Sequence, residues 1–238
     1  VDAAHKITIL ASIAFGIPIN FDAVHVEGIS NLSQKDITYA EELGYKIKLL
    51  GIAKSQNTDV EIRVHPTLVP KNRLVANVDG AMNAVLVHGN MVGPTLYYGA
   101  GAGAEPTASA VVADVIDIAR QTKLSQDTLI PSLGFMPDKI NEKNILSIEN
   151  IISEYYLRFT MKNQAGLLAK ITNIFADHDI SINSMVHKEV QENNQNPDIF
   201  LITSKTKEAD IDTIISEIEL LPENIEKVVK IRTEELNK

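Results

Sequence analysis

The sequence predicts two consecutive α+β units: a mixed sheet with helices at its ends, then a smaller unit of order βαββαβ, the ferredoxin-like arrangement. Three observations carry that prediction. Apolar residues in the first half switch between helical and two-residue spacing, and the strand-like runs are mostly consecutive. The pattern then weakens over a stretch holding Pro131, Gly134 and Pro137 among Asp, Lys and Asn, the composition of a surface linker. From Tyr155 a compact alternation of strands and helices resumes. The expected division is 1–124, a linker over 125–153, and 154–238.

In order, Ala3, Ile7, Leu10 and Ala14 share a helical stripe that Gly16 and Pro18 end. Ser33, Gln34, Lys35 and Asp36 form a capping box for a second helix, which Gly44 stops. Strands follow at 45–55 and 59–68 with Gln56 and Asn57 at the turn, the second alternating Val60, Ile62 and Val64 with Glu61, Arg63 and His65. Further strands are expected at 84–88 and 95–98, then a long helix over 107–123. The second unit reads as strand 155–161, helix 167–178, strands 181–190 and 198–204, helix 209–220 and strand 225–232.

With 238 residues, 45% hydrophobic and 22% charged, the chain can bury a core and is not disordered, collagenous or mainly coiled coil. Its 31 acidic and 22 basic side chains leave a net charge of -9, which opposes capture by nucleic acid or an anionic membrane. Small-molecule and protein partners are expected instead. No apolar run approaches the ~20 residues of a bilayer span, and charge occupies the first residues where a signal peptide is apolar. The absence of cysteine removes disulfides and thiol chemistry and fits a reducing, cytoplasmic address. The chain opens at Val1 inside a helical pattern, so a longer product is expected.

Candidate chemistry is sparse. Asp2 and Lys6, spaced i, i+4, face one ligand or form an ordinary exposed ion pair; spacing alone does not choose. Gly99, Gly101 and Ala104 satisfy G-x-G-x-x-A before a helix, but the polar residues after Lys123 offer no second strand ending in an acid, so the residues by themselves read as small side chains that let the chain cross closely packed backbone. Gly166, at a turn into a helix, can aim backbone amides at a carboxylate while Asn163 and Asn183 bond an ammonium or hydroxyl; alternatively Gly166 only shapes the turn and Asn183 only caps a strand. The six histidines lack metal-ligand spacing, so no metal site is expected.

The blocks DAAHK at 2–6, ITILA at 7–11, HVEGIS at 25–30, ELGY at 42–45, IKLL at 47–50, NAV at 83–85, YYGAGAG at 97–103 and PTASAVVAD at 106–114 resemble, in order, the substrate domain of homoserine dehydrogenase. The resemblance implies that Lys6 is the proton donor and acceptor, Asp2 binds the amino-acid substrate, and Gly101 and Gly103 approach the cofactor, NAD(P). It also implies a preceding Rossmann domain that supplies the phosphate loop, so that the fragment binds no cofactor on its own and is inactive alone. KNQAGLLAKI at 162–171 and DISINS at 179–184 resemble an ACT domain, implying an amino-acid effector, threonine, bound by Asn163, Gly166 and Asn183. The family more often has Asp and Pro where this chain has Asn163 and Ala165. Together the resemblances imply a homo-oligomeric oxidoreductase fragment that interconverts aspartate semialdehyde and homoserine in threonine and methionine biosynthesis. The alternative is a non-catalytic amino-acid-binding regulatory or interaction module.

Overall fold

A computed structural model describes residues 1–56, 58–123, 130–188 and 196–236. The first unit contains α1 (Asp2–Phe15), β1 (His25–Val26), α2 (Gln34–Glu42), β2 (Tyr45–Gln56), β3 (Asp59–Pro70), β4 (Met82–Gly89), β5 (Gly93–Ala100) and α3 (Ala104–Gln121). After a short β6 (Asn144–Ile145) come β7 (Ile152–Thr160), α4 (Leu167–Asp177), β8 (Ile182–Lys188), β9 (Asp198–Thr203), β10 (Thr206–Lys207), α5 (Glu208–Glu219) and β11 (Val229–Thr233). The mixed α+β architecture and the βαββαβ order are as expected from sequence. Asn57, the second residue of the expected turn, and residues 189–190 of the expected third strand lie outside the described residues.

Local chemistry explains several boundaries. Gly16 ends α1 in the left-handed conformation at φ 63°, which a residue without Cβ adopts at little cost. The capping box forms: the Ser33 hydroxyl accepts from the Asp36 amide at 3.3 Å, and Asp36 accepts from the Ser33 amide at 3.2 Å. The last strand begins at Val229, later than its apolar pattern suggests. The Val228 amide donates to Glu219 and the Ile225 amide to the Thr160 carbonyl, so 225–228 is held as a loop.

The two units share one sheet. Its main path among the described residues is β1-β3-β11-β7-β9-β8, with β2 and β6 also on β3 and β10 on β7. β2 pairs antiparallel along the whole of β3, while the opposite edge of β3 takes β6, β1 and β11 in turn, all parallel. The β3–β11 contact pairs Arg232 with Thr67 and Thr233 with Leu68. Strands β11-β7-β9-β8 are mutually antiparallel, and β4 and β5 form a separate hairpin.

Two expectations need correction. The buried face of α1 is Ala4, Thr8, Ala11 and Ser12, not the stripe through Leu10 and Ala14. Small residues let the helix approach the sheet closely: a Cβ at Gly51 of β2 would lie 3.2 Å from Ile7, while the bulkier Ile9, Leu10 and Ile13 point outward. Every residue of the alternating β3 pattern from Val60 to Val69 is buried, the polar ones included. Among its polar members, Arg63 reaches Glu234 of the second unit, while Glu61 and His65 bond Arg63 along the strand. The described part of the expected linker is also pinned down: β6 pairs with β3, the Asn141 amide donates to the Gly16 carbonyl, and the Phe135 ring sits against Gly16.

Apolar clusters fill both faces of the sheet. Val60, Ile62 and Val64 pack under α1, and Leu68, Tyr156, Phe200 and Ile231 pack under α2. On the opposite face, Tyr155, Leu157, Phe159 and Leu201 meet α4 and α5. Between the clusters lie fully buried cations. Arg63 donates to Glu234 at 2.6 Å and to His65 Nε2 at 2.8 Å, which leaves the imidazole proton on Nδ1 to reach the Pro66 carbonyl at 2.9 Å. Burial first, then the guanidinium groups of Arg232 and Arg63, push the His65 pKa down to about 3.

Folded His65 stays neutral while the unfolded side chain protonates near its ordinary value of 6.5. The unfolded state therefore binds more protons between about pH 6.5 and pH 3, and stability is lost as pH falls through that window. Urea denaturation should show ~2 kcal/mol less stability at pH 5 than at pH 7 from this group alone. The variant His65→Gln should flatten that slope.

Candidate functional site

The outer face of α1 carries Asp2, Lys6, Ile9 and Ile13 at i, i+4, i+7 and i+11. Lys6 Nζ lies 2.7 Å from Asp2, and their side chains are 68% and 81% exposed. The hydrogen bond from Lys6 comes first among the causes that hold the Asp2 carboxyl below its ordinary pKa. Beyond the pair, Ile9, Leu10 and Ile13 are each at least 40% exposed, so the charges stand at one end of an apolar strip turned away from the chain's own core. The His5 ring lies tilted at 44° against Phe21 with ring centroids 4.4 Å apart.

The glycine run lies between β5 and α3, where each glycine meets a different environment. A Cβ at Gly101 would collide with the Asn83 side chain, and the Gly101 amide donates to the Ala81 carbonyl at 3.1 Å. Gly103 caps α3 at φ 128°, a conformation that disfavours any side chain. No side chain caps the 18-residue helix behind it, so its first amides are available to an anion. α3 buries no residue, and Val111, Val112, Val115, Ile116 and Ile118 are exposed along it. The hairpin leading to it likewise exposes Val85, Leu86, Val87, Tyr97 and Tyr98.

In the second unit Gly166 caps α4 in the left-handed conformation at φ 84°, again without a side-chain cap, and Asn163 in the preceding loop is exposed. Asn183 sits near the start of β8, where it donates to the Thr203 carbonyl at 3.1 Å. The register separates them. Asn183 lies beside the pairing of Ile182 with Thr203, whereas the Gly166 loop follows the far end, where Thr160 and Lys188 both pair with Asp198. About five strand residues, roughly 16 Å, lie between those levels. One protomer does not bring Asn183 together with Asn163 and Gly166.

Residues 1–116 match the homoserine dehydrogenase family and residues 155–223 match the ACT domain. A homoserine dehydrogenase of Pseudomonas aeruginosa is 48% identical over 237 residues, covering 100% of this chain and 55% of the relative. That of Neisseria gonorrhoeae is also 48% identical, over 99% of this chain and 54% of the relative. The crystal structure of a homoserine dehydrogenase from Thiobacillus denitrificans superposes with a TM-score of 0.91 at 52% identity, over 99% of this chain and 53% of that one. The chain belongs to the homoserine dehydrogenase family. It spans about half the length of the homoserine dehydrogenases it matches.

The polar groups that join the two units come from elements far apart in sequence. Arg158 of β7 donates to Asp36 of α2 at 2.6 Å, and Asp198 accepts from Lys35 and Tyr39 at 3.0 Å each. Burial, then the neighbouring Asp198, raises the Tyr39 phenol to about 12. Arg232 of β11 reaches Glu27 after β1 and Glu208 at the start of α5. Burial alone would raise the Glu27 carboxyl, but hydrogen bonds from His25 and Arg232 outweigh it and hold the group well below the usual carboxylate range. For Arg63, which bonds Glu234, the available signal is the presence of Glu, Arg and His inside a strand otherwise rich in β-branched residues. Among the described residues no group of three or more His, Asp or Glu could hold a metal ion, and no helix is long and apolar enough to cross a membrane.

The glycines should separate under mutation. Gly99→Ala adds a Cβ with nothing within 4 Å and should change hairpin protection little, whereas Gly101→Ala must displace Asn83. Overpacking of that kind costs ~1–3 kcal/mol. Amide exchange in β4 and β5 should accelerate in the Gly101 variant only.

Proposed function

We propose that this chain is the substrate-handling and regulatory half of a homoserine dehydrogenase that interconverts aspartate semialdehyde and homoserine with NAD(P), in threonine and methionine biosynthesis. The observation that carries the reading is the end-to-end kinship, 48% to 52% identity over essentially the whole chain, with relatives of that name. The outward apolar strip beside Lys6 adds support, because a reacting oxygen must be shielded from water and such a strip invites a covering lobe.

Reduction of the aldehyde to the alcohol requires a hydride at carbon and a proton at oxygen. The nicotinamide cofactor, when bound, supplies or accepts the hydride. Lys6 holds the proton, giving it to the forming alkoxide and retrieving it from the hydroxyl in the reverse direction. Asp2, ionised and 2.7 Å from Lys6, steadies that ammonium and accepts from the substrate amino group. The uncapped first turn of α3 fits a phosphate group, and Gly101 and Gly103 present no side chain of their own to its approach. In the ACT domain the Gly166 loop takes the carboxylate of threonine. Asn163 and Asn183 take its polar groups, with Asn183 contributed across β8 by a second copy of the chain, since one copy holds it at the wrong end of the sheet.

The openness of the Asp2–Lys6 pair favours a second reading, a regulatory module in which both are surface charges. Two measurements decide between them. In a polypeptide joining this chain to the other half of its Pseudomonas aeruginosa relative, Lys6→Met should lower kcat for homoserine oxidation about 10²–10⁴-fold with little change in KM; an unchanged kcat leaves the regulatory module. Calorimetric titration of the chain with threonine should give binding heat that Asn183→Ala abolishes. Equal heats of dilution for both proteins would remove threonine from the account.

A further inference from the structure

We propose that Arg232 is a coupling element between the two units, a buried guanidinium through which a displacement of α5 or β11 is passed to the β1–α2 segment. Its side chain is 1% exposed. Nε donates to Glu208 Oε2 at 2.6 Å, Nη2 also contacts Glu208, and the two terminal nitrogens grip Glu27 at 3.0 and 2.8 Å. Glu208 is the first residue of α5 and is itself held by Lys230 at 2.7 Å and by the Tyr155 hydroxyl at 3.2 Å. Glu27 follows β1, its amide donates to the Val64 carbonyl of β3 at 2.7 Å, and its carboxylate also accepts from His25. One rigid planar cation thus spans an acid from each unit, 205 residues separating it from Glu27 in sequence. A buried guanidinium cannot release one acid without leaving charge unpaired, so the two carboxylates move together.

A second clamp points the other way: Arg63 of β3 donates to Glu234, just beyond β11. Hydrogen bonding between β3 and β11 involves only two registered residue pairs, so these clamps and the short ladder form the local link between the ACT domain and β3. The functional meaning of the coupling rests on the reading of 155–223 as a sensor. The coupling itself does not.

Amide exchange on the 1–238 chain tests it. Glu208→Gln loosens the α5 end, and the reporter is the Glu27 amide. In the wild-type background Glu208→Gln should accelerate exchange at 24–28 about fivefold or more, the lower range of a coupling free energy, while 49–55 of β2 stay unchanged. In an Arg232→Met background the same substitution should alter 24–28 less than about twofold. Should Arg232→Met fail to fold, Glu27→Gln, at a partly exposed position, cuts the same clamp from the other end and should give the same loss of response. An unchanged reporter, equal acceleration with and without the clamp, or acceleration shared by β2 overturns the proposal. Threonine binding with no such coupling would sink the inference alone, and coupling without threonine binding would sink the sensor reading alone.

Discussion

The ion pairs of Arg63 with Glu234, and of Arg232 with Glu27 and Glu208, are what allow β3 to lie buried in the middle of the molecule. Each arginine is 1% exposed. Isolated charges at such depth would cost several kcal/mol apiece, so the partners must arrive together with the cations. Two ladder pairs between β3 and β11 are too few to fix a register securely by themselves, and a slip of one residue would turn Arg232 to the opposite face. The charges therefore act as a positional key. The same logic operates on the other face, where Asp36 of α2 meets Arg158 and Tyr156 of β7.

This arrangement makes the second unit more than an appendage. Its sheet has α4 and α5 on one face, α2 on the other and β3 along one edge, so three of its four boundaries are occupied from within the chain. Among the described residues β8 is the edge without a strand partner. The stacking of Tyr39 on Phe200, at 4.4 Å between ring centres, shows how closely the helix of one unit is fitted to the sheet of the other.

Local signals were legible because they depend on neighbours in sequence. Gly16, the Ser33 box, Gly44 and the order of strands and helices all follow from spacing and turn chemistry. Long-range placement was not legible. Leu10 outweighs Ala4 on any hydrophobic scale, yet it is the small Ala4, Thr8, Ala11 and Ser12 that α1 buries. The burial of Glu61, Arg63 and His65 depends on Glu234 and Arg232, which nothing local in the sequence announces. At the site, Asp2, Lys6 and the glycine run were found through ordered blocks of residues, whereas the separation of Asn183 from Gly166 depends on strand register, which sequence spacing does not encode.

The pairing of β3 with β11 also has a consequence for biosynthesis. Arg63 and Glu234 are 171 residues apart, so on the ribosome the polar edge of β3 emerges long before its partner exists. At elongation speeds of about 5–20 residues per second, that interval lasts some ten seconds or more. During it, the Arg63 guanidinium and the stretch of β3 at Thr67 and Leu68 wait without the partners that β11 and Glu234 later bring. Completion of the central sheet is thus a late event of synthesis: only a polypeptide translated through β11 can seal its own middle.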